Sequence, residues 1–186
     1  MRTPLALVGG LALSLLGGCT SPWYSARFVP APLEVELSAD GEPPAQARAL
    51  LTVVGIRREA DGEPAAVVVR LRLDNMGSSP LALVEEGFDC VTGDLISLAQ
   101  VRLDPAPGEP LGRDESRTWT ATFPMPAGRR VEDLDWRGLN LKWTVDFDGR
   151  RVGTGVTFDR AFGYDPYWDS GYPHTQLSVG VGVSSF

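Results

Sequence analysis

Reactive side chains are scarce in this chain of 186 residues, which has two cysteines, Cys19 and Cys90, and one histidine, His174. A thiol nucleophile needs a base beside it, and a Ser–His–Asp triad would claim the only imidazole. The Gly-x-Ser-x-Gly elbow of serine hydrolases is absent from the sequence. Asp165, Asp169 and His174 crowd one stretch and offer oxygen and nitrogen to a divalent metal, but in no established ligand spacing. Glu85 and Glu86 are adjacent, and neighbours on a strand point to opposite faces, so they read as solvated carboxylates. Asp133 and Asp135 share a face beside a loop. Gly153-Thr154-Gly155 lacks the strand–loop–helix setting of a phosphate loop. Two features remain. One is Cys19, at the end of Leu16-Gly17-Gly18-Cys19. The other is the aromatic set Tyr164, Tyr167, Trp168 and Tyr172, which suits stacking on sugars, a protein interface, or plain cover for an open side of the domain.

The elements that position Cys19 come first in the chain. Arg2 and the free amine are positive, Leu5 to Leu16 is apolar apart from Gly9, Gly10 and Ser14, and Gly17-Gly18 is small. This is the layout of a secretory signal peptide. A dozen helical residues span about 18 Å, too short for the hydrocarbon core of a bilayer. The stretch resembles the lipobox of bacterial lipoproteins, with Leu16, Gly18 and Cys19 in the matching positions and Gly17 a less favoured residue at its own. The resemblance implies cleavage between Gly18 and Cys19, lipid on the Cys19 sulfur and acylation of the new N-terminus. Several acyl chains anchor stably where one holds only marginally. In such lipoproteins an aspartate after the cysteine favours retention in the inner membrane. Thr20 stands there, which implies an outer-membrane destination; of the two faces, the periplasmic one is expected over the cell surface.

The formal net charge is −7. Acidity of this size argues against nucleic acid and against electrostatic binding to anionic lipid head groups, so attachment is expected from acyl chains rather than from a basic patch. If Cys19 is acylated, Cys90 has no disulfide partner in an oxidising compartment. Phe88 and Cys90 fall on one strand face, where cysteine behaves as a small buried hydrophobe.

After Cys19, residues 19–32 read as a flexible tether, punctuated by Pro22, Pro30 and Pro32 and reaching on the order of 45 Å when extended. Trp23, Tyr24 and Phe28 within it suit either the membrane interface or the domain surface. Residues 33–158 then read as strands. Leu33, Val35 and Leu37 alternate with polar residues. Leu50 to Ile56 is apolar on both faces, and Val67, Val69, Leu71 and Leu73 alternate again. Leu81–Val84, Gly87–Thr92 and Leu95–Leu103 read as three further strands. Trp119, Ala121 and Phe123 line the inner side of another. The most specific local pattern is Leu139 to Phe147 followed by Asp148-Gly149, the dipeptide of a two-residue type I′ hairpin. That turn sets Val145 against Val152, Leu141 against Val156, Leu139 against Phe158, and Asp146 against Arg151.

About eight short strands divided by Pro/Gly loops, with no amphipathic helix, predict an all-β antiparallel sandwich. The pattern is similar to the immunoglobulin-like domains of bacterial envelope proteins, without their disulfide. The domain plan is therefore a leader (1–18), an acylated tether (19–32), a sandwich (33–158) and an aromatic, Gly-rich tail (159–186) with one more alternating strand. This plan predicts a non-catalytic binding or structural module, held to the membrane by lipid on Cys19, with an envelope protein partner and no cofactor. Two alternatives stay open: an envelope enzyme with an acidic site, and a metal-handling lipoprotein using the tail.

Overall fold

The computed structural model describes residues 21–24 and 26–161. They form ten strands: β1 Trp23–Tyr24, β2 Arg27–Val29, β3 Leu33–Ala39, β4 Ala45–Arg57, β5 Ala66–Asn75, β6 Leu81–Thr92, β7 Arg102–Asp104, β8 Ser116–Pro124, β9 Gly138–Phe147 and β10 Arg150–Ala161. The helical content among the described residues is one 3-10 turn, Val131–Asp133.

Two antiparallel sheets share the strands. One runs β1-β4-β5-β8-β7, with β3 also paired to β4; the other runs β2-β10-β9-β6. Strands β4 to β10 supply the seven-strand immunoglobulin arrangement. The first, second, fifth and fourth of them make one sheet, and the third, sixth and seventh make the other. Period-two patterning explains the layering, because successive side chains on a strand face opposite ways. The inward residues of both sheets merge into one core that includes Leu71, Trp119, Phe123, Leu141, Trp143 and Phe158. Phe88 of β6 meets Phe123 of β8 across the sandwich, ring centroids 5.3 Å apart. Trp136, just before β9, donates its indole N–H to the carbonyl of Val131. The tyrosine corner of immunoglobulin domains fixes the same connection in the same way.

The β9–β10 hairpin has the register that its turn dictates. Val145 pairs with Val152, Leu141 with Val156, Leu139 with Phe158, and Asp146 with Arg151. Asp148 at φ 56° and Gly149 at φ 88° take the left-handed conformations of a type I′ turn. The Arg151 guanidinium lies 3.6 Å from the Asp146 carboxylate.

Three expectations are corrected. Leu81–Val84 and Gly87–Thr92 are one strand, β6. Its register against β9 jumps from Val84–Thr144 to Asp89–Lys142, so the intervening residues bulge out and break the period. Leu95–Leu103 is mostly loop: β7 begins only at Arg102, and Ser97 makes an isolated bridge to Val91. Finally, the tether of residues 19–32 does not extend to Pro32. Residues 23–24 and 27–29 pair as strands with β4 and β10, and Phe28 is 1% exposed in the core. The sandwich thus begins ten residues before Leu33, and β10 carries it to Ala161, three residues past Phe158.

One end of the sandwich is sealed by polar groups. Asn75, 1% exposed, donates to the carbonyls of Ser79 (2.9 Å) and Leu111 (3.0 Å) and accepts from the Gly77 amide (3.1 Å). Arg150 donates to the carbonyls of Asp40 and Pro43, both at 2.9 Å, and to the Ser79 hydroxyl at 2.6 Å. Three loops and the hairpin are thereby tied together.

Candidate functional site

Gly18 and Cys19 lie outside the described residues, as do Tyr164, Tyr167, Trp168, Tyr172, Asp165, Asp169 and His174. The structure instead describes the chain after Cys19, from residue 21, and before Tyr164, up to Ala161. The carbonyl of Pro22 accepts the Arg58 amide at 2.8 Å. In β1, Trp23 pairs with Arg57 and Tyr24 with Ile56. In β2, Arg27 pairs with Ala161, the last described residue of β10. The chain therefore enters and leaves the described sandwich at the same end, opposite the one that Asn75 and Arg150 seal.

Arginines and carboxylates mix at this entry end: Arg27, Arg57, Arg58 and Arg160 lie at or beside strand ends, and Glu59, Asp61, Glu63, Glu132, Asp133 and Asp135 lie in the loops that join β4 to β5 and β8 to β9 there. The Tyr24 ring lies between two guanidinium groups, Arg58 at 5.8 Å and Arg160 at 6.0 Å from its centroid, a distance at which cation–π attraction operates. Arg57 neighbours Arg58, and Arg27 lies across from the end of β10. Among the described residues, Arg27, Arg57 and Arg58 form no ion pair. Glu59 and Asp159 are the carboxylates nearest to them in sequence. Trp23 is 39% exposed and lies over Gly55, where an added Cβ would come within 3.3 Å of its ring. Gly55 also has φ 150° and follows a bulge, which leaves the extra residue, Val54, 44% exposed beside it. The bulge and the indole thus produce an apolar rim next to the arginines.

The other carboxylates are arranged for structure rather than for chemistry. Burial opposes ionisation of Asp74, but hydrogen bonds and charge from Arg72 (2.7 Å) and Arg48 (3.0 Å) outweigh it and hold the carboxyl below its usual range. Asp135 is also lowered, by hydrogen bonds from Arg137, and Asp133 caps the 3-10 turn through the Arg130 amide. Glu85 and Glu86 lie in the β6 bulge, Glu86 exposed. Thr154 turns inward opposite Trp143, while Gly153 and Gly155 face Thr144 and Lys142. Cys90 is fully buried, and burial, with the Asp89 charge added, pushes its thiol far above the ordinary range, which makes it a poor nucleophile. Among the described residues, no group of three or more His, Cys, Asp or Glu side chains is placed to hold a metal ion. No helix among them is long and apolar enough to cross a membrane.

Sequence reasoning left Trp23, Tyr24 and Phe28 undecided between membrane and domain, and it did not single out Arg57, Arg58 or Arg160. Tyr24 and Arg160 lie at opposite ends of the described chain, so no local spacing links them. The two-residue pitch of Trp23-Tyr24 is too short to register as a strand beside so many prolines.

No family model matches the chain, and no curated protein matches it. Among solved structures, the GAE domain of GGA2p from Saccharomyces cerevisiae aligns at 15% identity with a TM-score of 0.30, covering 67% of this chain and 96% of that one. The immunoglobulin-like assignment stands on the strand order itself.

Proposed function

We propose that the chain is a lipid-anchored outer-membrane lipoprotein whose sandwich serves as a non-catalytic binding or structural module through protein contacts in the envelope. The observation that carries this reading is Leu16-Gly17-Gly18-Cys19, placed directly after an apolar run of signal-peptide length. The fold supports it in one respect. A chain anchored at Cys19 meets the sandwich at Pro22, so the domain follows the anchor directly. Tyr164, Tyr167, Trp168 and Tyr172 follow Ala161, which pairs with Arg27 at that same end, and they are the proposed partner surface.

Labelling cells with radioactive palmitate tests the anchor. The wild-type protein takes up label and pellets with membranes; Cys19→Ser takes up none and is uncleaved or soluble. Membrane retention of Cys19→Ser equal to wild type, without label in either, would overturn the lipid anchor. In-cell crosslinking tests the partner surface: alanine at the four tail aromatics removes an adduct that the wild type forms.

A further inference from the structure

We propose that residues 177–184 of this same chain add a strand to the open edge of β10, completing the lane beside it that β2 only begins. This does not depend on the Cys19 anchor.

Strand β10 pairs with β9 along Arg150–Asp159, but β2 covers only Asp159–Ala161 on its other side. In an antiparallel ladder, successive residues bond alternate neighbours. The Arg160 amide bonds the Arg137 carbonyl on the β9 side, so the even-numbered residues of β10 bond towards β9. Arg151, Gly153, Gly155 and Thr157 turn their amides and carbonyls the other way, and none has a backbone partner among the described residues.

The other edges are guarded. Strand β6 is broken by its bulge and bridged to Leu111 and Ser97, β3 carries the exposed Glu34 and Glu36, and β7 has three residues, two of them charged. Native sheets blunt long edges with such devices or cover them. Gly153-Thr154-Gly155-Val156-Thr157 has no charge, no proline and no bulge. Its cover must supply backbone donors and acceptors at strand spacing, which is the chemistry of another strand.

Position, length and pattern point to the tail as the occupant. Residues 162–186 follow directly from the end of β10, and within them Leu177, Val179, Val181 and Val183 alternate with Ser178, Gly180, Gly182 and Ser184. The connection, residues 162–176, reaches about 50 Å at most, enough to pass β2 and turn the chain back. So short a tether gives an effective concentration on the order of millimolar, which favours this segment over a second copy. The returning segment runs antiparallel to β10, as β2 does, and the free edge and the alternating segment each span about 20 Å. The faces then set the register. Val152, Val156 and Phe158 point into the core. Val183 therefore lies beside Val152, Val179 beside Val156 and Leu177 beside Phe158. Ser178, Gly180, Gly182 and Ser184 bond Thr157, Gly155, Gly153 and Arg151, and their small side chains continue the outer face of Gly153 and Gly155. Tyr164, Tyr167, Trp168 and Tyr172 then stand on a loop held at both ends.

Residue-resolved amide hydrogen exchange on the purified full chain is the test. The expected result is slow exchange at Gly153, Gly155 and Thr157. That protection is lost in a chain ending at Gln176, and at Gly155 in Gly180→Pro, which removes one ladder N–H. Val152, Thr154 and Val156 bond β9 and stay protected in all three proteins, which certifies that the sandwich is folded. Rapid exchange at Gly153, Gly155 and Thr157 in the full chain overturns the proposal. So does protection that survives both changes, or that fades on dilution, the mark of a second copy on the edge. Each of these outcomes leaves the palmitate labelling of Cys19 as it was.

Discussion

The two ends of this sandwich differ in what their arginines meet. At the far end, Asn75 and Arg150 spend their donors on carbonyls and a hydroxyl of the molecule itself. At the entry end, Arg27, Arg57 and Arg58 have no carboxylate partner among the described residues, and Trp23 is partly open. Satisfied buried polar groups make an end rigid and self-contained. The entry end is tied internally as well, Trp136 to the Val131 carbonyl and Arg137 to Asp135, while Arg27, Arg57 and Arg58 stay outside those ties.

The contrast requires that both ends be firmly built, and the largest effect tests that for the entry end. Phe28→Ala empties a core site beneath β2 and should cost about 3–5 kcal/mol in urea unfolding. A loss below about 1 kcal/mol would mean that β2 is not part of the fold, and the entry end would revert to a tether. At the far end, Asn75→Ala strands the carbonyls of Ser79 and Leu111 and the Gly77 amide, and should cost about 2–4 kcal/mol. A neutral result would sink the claim that this end is sealed by hydrogen bonds.

The smallest effect sharpens the comparison through pH. Asp74 pairs with Arg48 and Arg72 on β4 and β5, and its folded pKa lies below the ordinary 3.8. A group shifted in this direction adds stability that is fully present above the unfolded value and is lost as pH falls through the folded one. Stability should therefore fall below about pH 4, with the Asp74 share under about 1 kcal/mol because both arginines are nearly half exposed. Unfolding curves of wild type and Asp74→Asn between pH 6 and pH 2.5 should converge at the acid end. Parallel curves would remove Asp74 from the account.

Much of the fold was legible in the sequence because period-two alternation and a single dipeptide carry it. Asp148-Gly149 fixes the β9–β10 register over ten pairs without any distant information. Reading failed where the period is interrupted or borrowed. The β6 bulge splits one strand into two apparent ones. In Leu95–Leu103 the apolar residues Leu98 and Val101 are buried from loops, so their hydrophobicity mimics a strand. At the entry end the reason is different. Trp23, Tyr24 and Phe28 take their places only because β4 and β10, far along the chain, offer open edges. The order in which arginines meet there is a property of the closed sheet, and a linear sequence does not contain it. The leader and Cys19 are legible as a pattern alone.

The pairing of β2 with β10 also sets how the molecule answers force. Arg27 and Ala161 lie side by side, so a pull that separates the two chain ends opens this pair one rung at a time, like a zip. A pull on Pro22 against the body of the domain runs along β1 and then β2 instead, and strains the rungs of each strand together. The same few hydrogen bonds are weak in the first direction and strong in the second.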